Sequence, residues 1–138
     1  MNRILFIGFC LAVAFAIGVG LWVVGGPEYA RMVEQDRQRV FDLDALADQI
    51  ACVGQAKRVL PDNLQGLEPC FGRQEANRND AVTNDPYRYT VLGPDTFEVC
   101  ADLAIDPKAA RRTLPYKNDL VLRGGNTVCL ERRKFTAD

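Results

Sequence analysis

Histidine is missing altogether from the 138 residues. Its absence removes the usual general base near neutral pH, the Ser–His and Cys–His nucleophile pairs, and every histidine-containing zinc site. An excess of either charge is missing too: 17 basic residues face 18 acidic ones, for a net charge of −1. Nucleic-acid binding usually draws on a clustered basic surplus, so this balance gives no case for it. The short run Arg132-Arg133-Lys134 reads as a solvated tail. No two cysteines stand as C-x-x-C, which leaves a thiol redox motif and a four-cysteine zinc ribbon without support. Internal repeats and low-complexity tracts are lacking.

Carboxylates remain. Asp85, Glu98 and Asp102 are the candidates for a carboxylate-dependent hydrolase acting on envelope polymers, a chemistry that needs two such groups at a narrow separation. Solvated strand faces explain the same three residues more simply. Asp42, Asp44 and Asp48 cluster on an expected helix, whereas calcium asks for ligands from a looped backbone. No catalytic, metal or cofactor residue is therefore assigned, no cofactor is expected, and the chain reads as a non-enzyme.

What the chain has begins with ILFIGFCLAVAFAIGVGLWVV, Ile4 to Val24, without a charge. As a helix this run spans roughly 30 Å, the hydrocarbon thickness of a bilayer. Trp22 suits the interfacial belt. Residues 1–25 are expected to form a transmembrane signal-anchor, with the lipid bilayer contacted through residues 4–24. Residues 26–138 are expected to form a soluble extracytoplasmic domain. Ala14-Phe15-Ala16 matches a signal-peptidase site, but cutting there strands Ile17 to Val24 as an apolar stub. Ala16, Gly18 and Gly20 are small enough for a second helix to approach closely. Arg3 precedes the span while Arg31, Arg37 and Arg39 follow it, so the positive-inside count leans weakly toward an inward domain.

The cysteines argue the other way. Beyond Cys10 there are Cys52, Cys70, Cys100 and Cys129, and four cysteines allow three pairings. Cys52 falls late in an expected helix and Cys70 in the connector after it, while Cys100 and Cys129 both fall mid-strand. Cys52–Cys70 and Cys100–Cys129 are the favoured disulfides, each closing a loop for about 3 kcal/mol in the chain-entropy account. The competing reading is four reduced, buried thiols in a cytoplasmic domain. Disulfides need an oxidising compartment. They imply a single span with the C-terminal domain outside the cytoplasm, which for a bacterial chain is the inner membrane, single-pass, with the domain in the periplasm.

Beyond the anchor, Gly25-Gly26-Pro27 breaks the first helix and opens a second running to about Lys57. Val33, Val40, Leu43, Ala47 and Ile50 recur at helical spacing, broadened by Leu46 and Val53. The stripe reads as a core face against a sheet; a coiled-coil seam is the alternative, and Asp36 sits in a would-be core slot. Leu60, Leu64 and Leu67 mark a packed connector, and Phe71 to Asn84 a polar surface loop. Tyr87 to Val91, Phe97 to Leu103 and Thr127 to Glu131 alternate as strands, with Gly93-Pro94-Asp95 and Gly124-Gly125-Asn126 as turns. Phe97, Val99, Ala101 and Leu103 share one strand face, and Cys100 shares the other with Glu98 and Asp102. Cys129 lies opposite Val128 and Leu130, so both cysteines project from polar faces. The two tyrosines read as packing and edge residues.

This order of elements, carried by Leu60-Pro61, Leu64, Asp85-Pro86, Tyr87 and Tyr89, resembles the pilin-like fold and looks most like the G-type pseudopilins of type II secretion. It is also similar to bacterial single-span proteins that end in a glycine-rich turn before a strand cysteine. The resemblance implies an α+β architecture: an N-terminal transmembrane helix, then a long amphipathic helix on a small antiparallel sheet, stapled by disulfides. The family's processing motif is not matched, because Gly8-Phe9 is followed by an uncharged stretch with Val13 where a glutamate is required. The expected role is a membrane-anchored envelope protein acting through protein–protein contacts with a partner or complex of unknown identity. An accessory single-span subunit of a larger membrane complex is the alternative.

Overall fold

A computed structural model describes residues 2–23, 26–70, 72, 74–114 and 120–134. The chain divides into two compact units, Met1–Met32 and Val33–Asp138. The first contains α1, Asn2–Val23, in which no residue is buried. At 1.5 Å per residue it is about 33 Å long. It is long and apolar enough to cross a membrane. Val24 and Gly25, at the end of the expected anchor, lie outside the described residues.

Helix α2, Gly26–Lys57, opens with Pro27 and Glu28 in its first turn and ends with Lys57 in its last, both charges suited to the helix dipole. From Asp36 onward one stripe is buried: Val40, Leu43, Leu46, Ala47 and Ile50 have no exposed surface. Burying a side chain of that size contributes about 1.5–3 kcal/mol, so this stripe organises the unit. The helix stops at Arg58, which adopts φ +59° and donates its N–H to Gln55 O at 3.3 Å. The connector then doubles back, burying Leu60 and Leu67. Gly54 permits this, since a Cβ there would stand 3.0 Å from Leu60 Cδ2. Gln49 holds the far end: its amide donates to Glu68 O at 2.9 Å and accepts from Ala76 N at 2.8 Å.

The sheet is antiparallel and four-stranded, β1 (Arg88–Val91), β2 (Thr96–Asp102), β3 (Leu120–Gly124) and β4 (Thr127–Arg133), in the order β1-β2-β4-β3. Two hairpins, β1–β2 and β3–β4, are joined through the central β2–β4 pair. Phe97, Val99, Val128 and Leu130 are fully buried on the core face. Between the hairpins lies α3, Pro107–Thr113, capped by Asp106, whose side chain accepts from Lys108 N and Ala109 N. Neither α3 nor β3 was expected from the sequence. At seven residues α3 is too short for a helical period to develop, and β3 reads Leu-Val-Leu-Arg-Gly without the polar–apolar alternation that marked the other strands,.

The run Arg132-Arg133-Lys134 is not a solvated tail. It closes β4, Arg132 bonding Asp44 at 3.0 Å and Lys134 bonding Asp95 at 2.7 Å. Carboxylates opposite Arg132 and Lys134, supplied by α2 and by the β1–β2 turn, outweigh the tendency of a short basic run to stay in water, while Arg133 between them is exposed.

Candidate functional site

Three features deserve a functional reading: a buried charge network on α2, the outer face of the sheet, and a cleft beside β1. In the first, Asp36, Arg39 and Asp42 fall on the apolar stripe of α2. Asp36 is wholly buried, as its place in a core slot requires. Its carboxylate accepts from Ala104 N at 2.9 Å, Ile105 N at 2.8 Å and Arg39 Nη1 at 2.5 Å. Arg39 also donates from Nε to Asp80. Asp80 in turn accepts from Val82 N at 2.6 Å and Thr83 N at 3.1 Å, shaping the turn before β1. Asp42 accepts from Gln38, Asn77 and the Tyr87 hydroxyl at 3.0, 3.2 and 3.1 Å.

Burial by itself disfavours all these charges. It would weaken the Arg39 guanidinium, but the bonds to Asp80 and Asp36 win and hold its pKa above the ordinary value. Burial would raise Asp80, yet Arg39 and the two backbone N–H groups bring it below the usual carboxylate range. Burial, then the Asp42 charge, pushes the Tyr87 phenol well above its ordinary value. The network fastens α2 to the 78–87 turn and to the chain after β2. Its charges are committed to one another, so it is a structural clamp.

On the outer face of the sheet, Cys100 and Cys129 stand directly opposite one another in register and are disulfide-bonded, with Cα atoms 4.0 Å apart. The second bond joins Cys52 to Cys70. Parity places Cys100 and Cys129 on the polar face, yet they are 6% and 1% exposed. Two arginine–carboxylate pairs cover them. Arg123 reaches from β3 across β4 to Glu98 on β2 at 2.7 Å. Arg88 on β1 grips both oxygens of Asp102 at 2.8 Å and reaches Thr127 at 3.1 Å. Glu98 and the two sulfurs lie within 4.8 Å of one another. The sulfurs are bonded to each other and Glu98 to Arg123, so this grouping offers no thiolate pair to a metal.

Arg88, then Thr127, holds Asp102 down to about 2 from its ordinary 3.8. A carboxylate so acidic carries no proton at neutral pH and cannot serve as the acid of a hydrolytic pair. Asp85 and Asp102 border one small cavity of about 110 Å3, while Glu98 lies away from it, paired with Arg123. Two of the three candidate carboxylates thus border one cavity, and the third does not. Asp42 and Asp44 are likewise engaged, by Tyr87 and Arg132 respectively, and Asp48 sits beyond them on the regular helix.

The folded pKa values of Asp102 and Asp80 lie below their unfolded ones. Their contribution to stability is present above about pH 4 and fades as pH falls toward 2. The urea midpoint is therefore expected to drop over that window. Asp102→Asn should flatten part of the slope, modestly, because this half-exposed pair is screened by solvent and salt. A midpoint independent of pH between 4 and 2 would contradict the assignment.

Beside β1 lies an open cleft of about 470 Å3. One wall is the connector at Asp62, Asn63, Leu64 and Gln65; the other is the 78–87 turn with Tyr87 and Tyr89. The turn is closed by Tyr87 N donating to Arg78 O and Asp80 N donating to Asp85 O, both at 2.9 Å. Tyr89 donates its hydroxyl to Pro61 O at 2.8 Å and meets the Phe97 ring at a centroid distance of 5.9 Å. Burial, with Asp62 nearby, lifts its phenol to about 12. Both tyrosines pack, as a strand edge requires, but they also line a cavity. The signal in the sequence was two aromatics two residues apart, paired with an amide-bearing turn in the connector.

The chain matches no protein-family model, no curated protein and no solved structure.

Proposed function

We propose that the chain is a membrane-anchored envelope protein: α1 spans the inner membrane, and a pilin-like domain in the periplasm acts by binding other macromolecules. One observation carries the reading. A wholly exposed apolar helix accompanies a domain braced by two disulfides. Exposed apolar surface on that scale has a large cost in water and none in lipid. Disulfides persist where glutathione does not keep thiols reduced. The long helix and the antiparallel sheet favour the pilin-like arrangement, and the pairing of Asp102 and Glu98 with arginines favours a binding role over hydrolysis.

Topology and oxidation are tested together by adding a maleimide–polyethylene glycol reagent to denatured protein from cells quenched with acid. Cys10 is the free thiol, so one adduct is expected without reductant and five with it. Protease added to spheroplasts should remove the folded domain and leave a membrane-embedded stub. Five adducts without reductant, or a domain protected in intact spheroplasts, would overturn the proposal.

A further inference from the structure

The cleft beside β1 serves neither the anchor nor the disulfides, and its chemistry points to a ligand. Its volume of about 470 Å3 falls within the range of small-molecule sites, roughly 300–1,000 Å3. Tyr87, Tyr89, Pro86 and Leu64 supply apolar surface. Around them stand planar polar side chains with unused hydrogen-bonding capacity among the described residues. Asn63 spends its oxygen on Gln65 N and keeps its NH2. Asn79 spends its NH2 on Asn84 O and keeps its oxygen. The Gln65 side-chain amide and the Asp62 carboxylate make no hydrogen bond among the described residues. Donors and acceptors thus both stand in the lining beside the two tyrosines.

The negative charge at the rim selects against an anionic ligand. Arg78 is paired with Glu75 and bonded to Leu67 O through Nη2, while its buried Nε has no partner among the described residues; Asp62 at the rim has no ion pair among the described residues, and it repels anions. A ligand suited to this lining has faces of C–H groups for the rings and hydroxyls that both donate and accept. A peptide adding to the edge of β1 meets an obstacle, because the 78–87 turn already takes the Tyr87 N–H.

We propose that the cleft is a carbohydrate-recognition site, taking an uncharged oligosaccharide segment of two or three sugar rings that packs on Tyr89 and is hydrogen-bonded by Asp62, Asn63, Gln65 and Asn79. The inference stands on the cleft alone and holds for either membrane topology.

The test uses the full chain, isotope-labelled, in a detergent whose headgroup is not a sugar. Chitotriose, cellotriose and maltotriose are titrated, together with a β-strand-forming peptide. At least one trisaccharide is expected to bind with a Kd of about 1 mM or tighter, shifting amide resonances in the 62–65, 78–79 and 86–89 segments. Asp62→Ala with Gln65→Ala removes two contacts from exposed side chains that make no hydrogen bond among the described residues, and affinity should fall about tenfold or more. The spectrum outside the cleft should stay unchanged, which separates lost binding from lost folding. Silence with all three sugars, equal affinity in the double variant, or binding of the peptide in their place would each overturn the proposal.

Discussion

Arg39→Met is expected to destabilise the domain by about 3–5 kcal/mol, the usual cost of removing one partner from a buried ion pair. Set against a typical total of about 5–15 kcal/mol, that loss leaves much of the population unfolded at modest urea. The argument is one of imbalance. The side chains of Arg39, Asp36 and Asp80 are 7%, 0% and 8% exposed, so neither carboxylate can recover its hydration when the guanidinium goes. Methionine fills a similar volume, which keeps a packing defect from confusing the result. Adding Asp36→Asn and Asp80→Asn to the same variant should restore a large part of the stability. Asparagine retains an oxygen for the backbone N–H groups of Ile105 and Val82 while removing the stranded charge. Protection of β2 and β4 amides against hydrogen exchange in urea reads the effect without interference from α1. A single variant costing under about 1 kcal/mol would show the cluster to be solvated, and the clamp would have to be abandoned.

Replacing Cys100 and Cys129 together by alanine is expected to cost about 3–4 kcal/mol. The bond closes a separation of 29 residues, and unfolded-state entropy rises with the loop released. Cys52–Cys70, with a separation of 18, should cost slightly less, about 3 kcal/mol. The first bond matters beyond its loop because it crosses β2–β4, the pair that joins the two hairpins. Burial also orders their loss. Cys52 is half-buried, whereas Cys129 is 1% exposed beneath the Arg123–Glu98 pair. A titration with dithiothreitol should therefore open Cys52–Cys70 first and Cys100–Cys129 only as the sheet itself opens. Mass spectrometry after rapid alkylation distinguishes the two. Simultaneous reduction at equal rates, or a double-alanine variant as stable as the parent, would refute this account.

Much of the architecture could be read from periodicity. The stripe from Val40 to Val53, read as a core face rather than a coiled-coil seam, is buried, and alternation in Phe97 to Leu103 places Val99 inward and Cys100 outward. Mid-strand position and matching parity favoured pairing Cys100 with Cys129, while the register that sets them directly opposite comes from the fold. It could not reveal that the outer face is dry at that point, because the cover comes from Arg88 and Arg123 on strands not adjacent to each other. Asp36 was legible as an oddity, a carboxylate where an apolar residue belonged, but its partners lie 68 and 69 residues away at Ala104 and Ile105. Gln49 gave no signal at all, since one amide on a helix announces neither Glu68 nor Ala76.

What the chain's order of residues determined unaided is local: an apolar run long enough for lipid, one long helix with a single apolar stripe, and strands whose faces alternate. Each follows from a repeat of 3.6 or 2 residues, a property of neighbours along the backbone. Only the tertiary structure decided which charges are buried, what shields the β2–β4 disulfide, and that Tyr89 faces a cleft. Those outcomes depend on desolvation and on partners brought together from distant segments, and no short window of sequence contains both halves of such a contact.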